Sequence, residues 1–307
     1  MPPYPDAQLA AVARQHGVDP SELREVPGGV ANRAFTLGDA LFLRISRPGY
    51  ESDLHKEFLV VPTARAAGVL TPEIITYDPT RTVLDTPYLI TRRIHGTEPT
   101  TLPKTLAQQL ATLHHLHQPP AQPANATQAV CSVGVDGLGG LPEDGWGDPW
   151  GTVEELVDRG YIDPGTATWL SGWFTRLAEQ IEVDGPKVLI HGDVAAHNLL
   201  VGPTNDLRAL IDWGDAAWAP PATDFAKLPL TQVADLIPDY LNHTHSPTTE
   251  HELAAATLWF HLSWALSKLP ATPWPNQRHW TAPTTSRLLN LLHFFTTTPP
   301  PPWSDLV

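Results

Sequence analysis

Three oxygen-bearing side chains stand close together in the sequence near residue 200. Asp193 follows a His-Gly pair, Asn198 comes five residues after Asp193, and Asp212 closes a later apolar run. Apolar runs flank these positions, and the turn residues 202–206 lie between the last two runs, which is typical of a loop followed by a short hairpin. The pattern therefore predicts one carboxylate, one carboxamide and a second carboxylate close in space. Phosphoryl transfer uses such a grouping, since one acid lies beside the attacking hydroxyl and two oxygen ligands hold magnesium.

The pattern resembles the catalytic core of the aminoglycoside phosphotransferase family, whose members are relatives of the protein kinases. The family motif is His-Gly-Asp, four spacer residues and Asn, then an apolar residue, Asp, an aromatic residue and Gly; residues 191–198 and 211–214 match it. The resemblance implies that Asp193 is the catalytic acid that orients and deprotonates the acceptor hydroxyl. It also implies that Asn198 and Asp212 hold the Mg²⁺ ion that bridges the nucleotide phosphates.

Two further features resemble family positions with a supporting role. Asp224 corresponds to a structural aspartate and is left outside the catalytic set. The helix that carries His114 and His117 resembles a family helix whose histidine supports packing rather than binding metal. The alternative is that these motifs are ordinary turns, because Asp and Asn also cap helices and form turns. The combined spacing, flanking apolar runs and paired acids favour the catalytic interpretation.

Composition restricts the class of protein. A chain of 307 residues can bury a large core in one or two domains. Its formal charge of −14 argues against a nucleic-acid partner and would favour cationic small molecules, although a soluble acidic protein is the simpler explanation. No stretch approaches the roughly 20 apolar residues of a membrane span. The N-terminus lacks a secretory signal and Cys131 is the single cysteine, so we expect no membrane partner and a cytoplasmic location.

Residues 1–95 are predicted to form an N-terminal nucleotide-binding lobe. A helix is expected over 6–16, and the pattern over 25–46 predicts a strand, a glycine turn and a hairpin. In kinase-like folds such a turn covers the nucleotide phosphates, because glycine allows backbone N–H groups to approach them. The resemblance therefore implies that Gly28 and Gly29 bind the nucleotide; an ordinary turn is the alternative.

Arg44 lies in the predicted strand where the family places a cation that contacts the α- and β-phosphates. Protein kinases have lysine there, and arginine binds phosphate with two parallel hydrogen bonds but is wider. Glu57, on a helix predicted over 50–67, is the best candidate to pair with Arg44 and fix its position. Glu51 is the competing partner, and a solvated strand-edge arginine is the alternative for Arg44.

The stretch 87–96 resembles the connection between the two lobes of a kinase. It follows two strands predicted at 69–77 and 81–90. The resemblance implies that its backbone binds the nucleotide base, with Arg92 and Ile94 among the nucleotide-binding residues. The alternative is a sheet-edge strand that ends in a turn, with exposed arginine side chains.

Residues 96–307 are predicted to form a mostly helical catalytic and substrate-binding lobe. Apolar residues at helical spacing predict helices over 101–118, 151–160, 164–182, 223–242, 248–269 and 283–297. A stretch from 118 to about 150 is rich in Pro, Ala and Gly and predicts a long loop. The expected fold class is α+β, a bilobal protein-kinase-like fold with a small antiparallel-sheet N-lobe and a mostly helical C-lobe.

Two groups of residues bear on the acceptor. Acidic residues are dense from Glu143 to Asp163, where they either line a cleft or solvate a loop and a helix. Trp259, His261 and Trp264 share one predicted helix. They either pack in the core or present apolar surface to a ring of the acceptor.

The predicted activity is transfer of the γ-phosphate of ATP or GTP, with Mg²⁺, to a hydroxyl of a small molecule. An antibiotic of the aminoglycoside, macrolide or nucleoside type is the favoured acceptor. A choline- or sugar-type metabolic kinase shares every motif. A non-catalytic nucleotide-binding relative is disfavoured, because Asp193, Asn198 and Asp212 are all present.

Overall fold

The structure is a computed structural model that describes residues 6–27, 29–118, 135–272, 284–297 and 299–306. Gly28, one of the two predicted lid glycines, lies outside the described residues, as do Cys131 and residues 119–134 of the predicted long loop. Among the described residues, no helix is both long and apolar enough to cross a membrane.

Nine strands and eight α-helices are described. The strands are β1 (Leu23–Val26), β2 (Asn32–Leu37), β3 (Leu41–Ser46), β4 (Ile74–Asp78), β5 (Tyr88–Arg92), β6 (Val188–Ile190), β7 (Leu199–Val201), β8 (Leu207–Leu210) and β9 (Ala217–Ala219). The helices are α1 (Asp6–Gln15), α2 (Glu51–Ala66), α3 (Leu106–His114), α4 (Pro149–Asp158), α5 (Pro164–Ala178), α6 (Leu230–Thr244), α7 (Glu250–Ser267) and α8 (Thr284–Thr296).

The chain divides into two compact units. The first unit comprises residues 1–99, 119–141 and 198–216, and the second comprises residues 100–118, 142–197 and 217–307. The lobe boundary predicted after residue 95 falls near the end of the first segment. The segment 198–216, however, belongs to the first unit, because its hairpin and the turn that follows pack with that unit. The assignment of the lobes to nucleotide and substrate binding stays a prediction.

The first unit contains a five-stranded antiparallel sheet with strand order β1-β2-β3-β5-β4. Strand β3 is central, and alternate side chains of a strand point to opposite faces of the sheet. Leu43 and Ile45 therefore pack into a fully buried core with Phe35 and Leu37. Arg44 lies between the two core residues, so it projects from the opposite face of the sheet.

Helix α2 places its buried side on the same side as Arg44. Leu54, Glu57, Val61 and Ala64 are buried, and their spacing of three or four residues puts them on one face of the helix. The helix also packs against the short 3₁₀ turn over Trp213–Asp215. Because the sheet and the turn both contact α2, the helix can hold residues from two distant parts of the chain together.

The second unit is mainly helical. Strands β6 and β9 form a short antiparallel pair, and α3 packs along α6. Helix α5 begins with Pro164 after the N-cap Asp163, and α7 begins with a capping box between Thr249 and Glu252. All the helices that the sequence predicts are present, but the one predicted from 223 begins at Leu230, because Pro221–Phe225 forms a 3₁₀ turn instead.

Several predicted elements differ in extent. The strands predicted at 69–77 and 81–90 are shorter, since β4 starts at Ile74 and β5 at Tyr88. The predicted inter-lobe connection starts inside the sheet, because β5 pairs with β3 as far as Arg92. Strand β9 was not predicted, because an Ala-Trp-Ala segment of three residues carries no distinct periodicity.

Candidate active site

Arg44 joins two carboxylates within the first unit. Its Nη1 donates to Oε2 of Glu57, and its Nη2 donates to Oδ1 of Asp212. Glu57 is further anchored by the backbone N–H of Trp213. The predicted pairing of Arg44 with Glu57 is therefore confirmed. Glu51 pairs with Arg81 instead, and Arg44 is not a solvated arginine at a strand edge. We call Arg44, Glu57 and Asp212 the Arg44 cluster.

The charge state of the Arg44 cluster follows from burial and from its two carboxylates. Burial would lower the pKa of Arg44, but the charges of Asp212 and Glu57 outweigh that effect and raise the pKa above its ordinary value. Burial also raises the pKa of Glu57, and the charge of Arg44 opposes that rise. Arg44 is thus a permanent cation, and its two carboxylate partners fix its orientation.

Local backbone geometry fixes Asp212. The residue has φ 67° and ψ 71°, a left-handed conformation that aspartate adopts more readily than most residues. The next turn lies close to α2, because a Cβ added at Gly214 would be 2.9 Å from Cβ of Asp53. This contact explains why glycine follows the Asp-Trp pair. The indole N–H of Trp213 donates to Oγ1 of Thr71 at 2.8 Å.

Asn198 lies beside the strand that leads to Asp212. Its backbone carbonyl oxygen accepts a hydrogen bond from the backbone N–H of Ile211 at 3.0 Å, at the base of the β7–β8 hairpin. Its side chain is buried, whereas about half of the Asp212 side chain is exposed. The hairpin thus brings the two predicted magnesium ligands to neighbouring positions in one unit.

The remaining nucleotide-binding candidates have less specific surroundings. Gly29 has a positive φ of 76°, and a Cβ there would lie 2.9 Å from the carbonyl oxygen of Asn32. The N–H of Arg92 donates to the Glu73 carbonyl and its side chain pairs with the Glu73 carboxylate, exposed to solvent. Any contact of Arg92 with a nucleotide base therefore requires its carbonyl group. Ile94 follows the end of β5, outside regular structure.

Asp193 lies in the second unit with two basic partners. Its Oδ1 is 2.5 Å from Nζ of Lys227, and its Oδ2 is 3.5 Å from Nε2 of His197. Lys227 also donates to the carbonyl oxygen of Gly192 at 3.1 Å, so it holds both the side chain and the loop before it. We call Asp193, Lys227 and His197 the Asp193 cluster.

The same partners keep Asp193 ionised. Burial would raise its pKa, but the hydrogen bond from His197 and the charge of Lys227 outweigh burial, so the pKa lies well below its ordinary value. An ionised carboxylate only accepts hydrogen bonds. Asp193 can therefore accept a hydrogen bond from a hydroxyl group across the neutral pH range.

Asp224 anchors the loop that carries Asp193. Its two carboxylate oxygens accept from the N–H groups of His191 at 2.9 Å and Gly192 at 2.7 Å. Oδ2 also lies 3.1 Å from Nε2 of His114, whose Nδ1 is 2.8 Å from the Tyr240 hydroxyl. Burial would raise the pKa of Asp224, but these hydrogen bonds and the histidine charges lower it. This environment supports the structural role expected for Asp224 and for His114.

Sequence reasoning missed Lys227. The residue comes three positions after Asp224, beyond a 3₁₀ turn over Pro221–Phe225 that is stabilised by its own backbone. A basic residue shortly after an acidic residue is too common a pattern to identify a partner. Only the fold brings its amine to Asp193, which lies 34 residues earlier.

Most of the acidic residues between 143 and 163 have structural partners. Glu143 pairs with Lys187, Asp148 and Asp163 cap α4 and α5, and Glu155 pairs with Arg159. The interpretation in which these acids solvate a loop and a helix therefore fits their contacts.

The tryptophans of α7 differ from each other. Trp259 is buried against Trp146, Trp150 and Phe174, and its indole N–H donates to the Trp146 carbonyl, so it packs in the core. Trp264 is only partly buried and lies beneath two cations.

A small antiparallel sheet whose strand cation pairs with a helix glutamate, together with a helical unit that holds an ionised aspartate, is typical of kinase-like phosphotransferases, although the strand cation of protein kinases is lysine. Residues 22–270 match the family described as the phosphotransferase enzyme family (APH), and the chain belongs to that family. It is accordingly a phosphotransferase that acts on hydroxyl groups of small molecules. No curated protein sequence matches the chain.

Solved structures are similar in fold. The GDP complex of aminoglycoside 2'-phosphotransferase-IIIa has a TM-score of 0.67 at 17% identity, covering 92% of this chain and 96% of that chain. Macrolide 2'-phosphotransferase type I has a TM-score of 0.59 at 17% identity, covering 94% and 98%. A choline/ethanolamine kinase family protein from Mesorhizobium loti has a TM-score of 0.64 at 19% identity, covering 98% and 95%. The predicted α+β kinase-like fold and family are thereby confirmed.

Proposed function

We propose that this phosphotransferase transfers the γ-phosphate of ATP or GTP, in a Mg²⁺-dependent reaction, to a hydroxyl of a small molecule. The observation that carries the proposal is the Arg44 cluster, in which one buried cation is held by a helix glutamate and by the aspartate of the Asp-Trp-Gly segment. A buried ion pair of this kind stabilises a fold no more than well-packed apolar residues of similar volume would. Its fixed orientation instead suits the binding of nucleotide phosphates.

The residues present also suit magnesium. Asn198 and Asp212 offer a carboxamide and a carboxylate oxygen, the hard ligands that Mg²⁺ prefers, and Mg²⁺ is held in kinases by one or two such groups together with phosphate oxygens. Among the described residues no group of three or more His, Cys, Asp or Glu could hold a metal by itself, which agrees with a site completed by a nucleotide. When bound, the ion would neutralise charge on the phosphates.

Asp193 is the proposed catalytic residue. Its carboxylate would accept a hydrogen bond from the acceptor hydroxyl, orient the oxygen toward phosphorus and take the proton as the P–O bond forms and the nucleoside diphosphate leaves. Because its pKa is lowered, it is a weak base. That is sufficient, since phosphoryl transfer passes through a loose transition state in which positioning matters more than early deprotonation.

Gly29, Arg92 and Ile94 complete the proposed nucleotide site, together with Gly28. Gly29 would bring backbone N–H groups close to the phosphates, and the segment from Arg92 to Ile94 would bind the base through its backbone. The buried Oδ1 of Asn32, close to Gly29 in the chain, accepts no hydrogen bond from the described residues. A buried acceptor oxygen that receives no hydrogen bond supports a ligand with a hydrogen-bond donor near this turn.

An antibiotic is the first acceptor class to test, since similar folds include an aminoglycoside and a macrolide phosphotransferase. A metabolic amino alcohol or sugar is the alternative, since another similar fold belongs to a choline/ethanolamine kinase family protein. The presence of Asp193, Asn198 and Asp212 argues against a non-catalytic relative.

The test is magnesium-dependent release of ADP or GDP with a panel of aminoglycosides, macrolides, nucleoside antibiotics, choline and sugars. Asp193→Ala should abolish acceptor-stimulated release while nucleotide affinity stays within about twofold, because the residue is proposed to touch only the acceptor. Asp212→Ala should remove the magnesium dependence of nucleotide binding. Asp239→Ala, at an exposed position on α6, is the matched control. Full turnover in Asp193→Ala would refute the assignment.

A further inference from the structure

Two cations lie over the ring of Trp264 in the second unit. Nζ of Lys227 is 5.3 Å from the ring centroid, and the guanidinium carbon of Arg287 is 3.3 Å from it. The shorter distance is that of a stacked guanidinium, whose donors then lie in a plane parallel to the ring. We call Trp264, Lys227 and Arg287 the Trp264 surface.

The Trp264 surface is continuous with Asp193. Lys227 reaches Asp193 directly at 2.5 Å, and the charge of Asp193 also acts on Arg287, where it partly offsets the lowering of the arginine pKa by burial. Burial lowers the pKa of His261, one turn before Trp264 on α7, to about 4, so that this histidine adds no charge at neutral pH. Lys227 and Arg287 are therefore two described cations whose charges interact with the Asp193 carboxylate.

We propose that the Trp264 surface binds the acceptor and selects molecules that carry an anionic group, a carboxylate or a phosphate, beside the hydroxyl that is phosphorylated. This inference rests on the proposed function, since it takes Asp193 as the residue that receives the acceptor hydroxyl. It narrows the substrate class to hydroxylated anions and disfavours polycationic aminoglycosides.

The chemistry of the surface suits such a molecule. A guanidinium stacked on an aromatic face presents its N–H donors edge-on, which is the geometry of bidentate binding to a carboxylate or phosphate. The indole ring adds a flat apolar face for the carbon skeleton of the acceptor. Lys227 compensates the charge of Asp193, so that the catalytic carboxylate does not repel an anion.

A polycation would find the opposite environment. Aminoglycoside recognition calls for several carboxylates near the acceptor hydroxyl. The acidic residues that the sequence offered for this purpose cap helices or pair with surface cations, as shown by Asp148, Asp163 and Glu143. Asp224 is buried and occupied by backbone N–H groups.

The test compares three sugars that share a ring and differ in charge: D-glucuronate, D-glucose and D-glucosamine. Their dissociation constants would be measured by saturation-transfer NMR at neutral pH without nucleotide. We expect glucuronate to bind about fivefold more tightly than glucose, and glucosamine to bind more weakly than glucose. Arg287→Gln should abolish the preference for glucuronate, and Arg287→Lys should keep part of it.

Arg159→Gln is the matched control, because Arg159 also lies over an aromatic ring, that of Tyr161 at 5.2 Å, but pairs with Glu155 instead of acting with Asp193. This variant should bind the sugars like the wild type. Circular dichroism should show that each variant is folded. Equal binding of the three sugars, tighter binding of glucosamine, or an unchanged preference in Arg287→Gln would overturn the proposal.

Two further measurements are needed. The first distinguishes binding of an acceptor anion from binding of nucleotide phosphates, and the second distinguishes failure of the charge preference from failure of the proposed function. If saturating MgADP removed the preference for glucuronate, the cations would serve nucleotide phosphates and the proposal would be wrong; a preference that persists supports it. The binding measurement requires no turnover. ADP release that depends on Asp193, without a preference for glucuronate, would therefore refute the charge preference alone. A preference for glucuronate without acceptor-stimulated ADP release would refute the proposed function alone.

Discussion

Replacing Asp224 by alanine should destabilise the second unit strongly, because the carboxylate is 1% exposed and satisfies three donors. Two of these donors are the backbone N–H groups of His191, which is buried, and Gly192, which is partly buried; both follow the end of β6. A hydrogen bond to a charged group contributes about 1.5–3 kcal/mol, and removing one partner of a buried pair costs about 3–5 kcal/mol. Since the three bonds share one carboxylate, their contributions do not add. We expect a loss of about 3–5 kcal/mol in the free energy of unfolding.

The assay is urea-induced unfolding followed by tryptophan fluorescence and by far-UV circular dichroism. Asp148→Ala is the matched control, since that exposed carboxylate accepts from one backbone N–H, of Gly151 at 2.9 Å, and its loss should cost about 1 kcal/mol. An Asp224→Ala variant no less stable than Asp148→Ala would refute the reasoning. Turnover should also fall in Asp224→Ala, because the loop before Asp193 loses its anchor.

Acid supplies an independent check of the same carboxylate. The folded-state pKa of Asp224 is depressed, so its contribution to stability is present above the unfolded-state pKa of about 3.9 and is lost as the pH falls toward the folded-state value. Asp224→Asn removes this titration. The stability difference between wild type and Asp224→Asn should therefore shrink below about pH 4. A difference that is constant from pH 7 to pH 3 would contradict an ionised Asp224.

Three other substitutions test the proposed roles. Arg44→Ala should raise the nucleotide KM about tenfold or more in initial-rate assays, and an unchanged KM would exclude a phosphate contact. Gly29→Ala should raise the same KM, because a Cβ there meets a backbone oxygen at 2.9 Å, whereas Gly17→Ala, at a similar φ of 72° with no atom within 4 Å, should affect stability alone. Lys227→Met should lower kcat roughly tenfold with partial recovery in Lys227→Arg, and a kcat equal to wild type would remove Lys227 from the positioning of Asp193.

Short motifs allowed part of the site to be predicted from the sequence. Spacing and the family resemblance singled out Asp193, Asn198 and Asp212, whose roles stay predictions. The contact of Arg44 with Glu57 was predicted from a strand followed by a helix, and the structure contains it. That pairing could be predicted because strand and helix periodicities fix which side chains share a face over a few turns. The second partner of Arg44 was not predicted, since Asp212 lies 168 residues away and its contact depends on tertiary packing.

The residues of the Trp264 surface could not be predicted from the sequence. Lys227 and Arg287 come from separate segments with no motif, and nothing in their neighbours distinguishes them from solvated cations. The periodicity of α7 likewise could not separate Trp259 from Trp264. Their difference depends on Trp146 and Phe174 packing against Trp259 and on cations covering Trp264.

Net charge and local charge lead to opposite expectations for the acceptor, and the local charge should decide. The formal charge of −14 suggests attraction of cations, but exposed charges are largely screened beyond about 8 Å at physiological ionic strength. Lys227 lies within hydrogen-bonding distance of Asp193, and Arg287 is partly shielded from solvent and stacked on Trp264. An acceptor whose hydroxyl reaches Asp193 is therefore within the range of these two cations, whatever attracted it to the protein. Raising the salt concentration should accordingly weaken long-range association with cations more than it weakens the preference for an anion at the Trp264 surface.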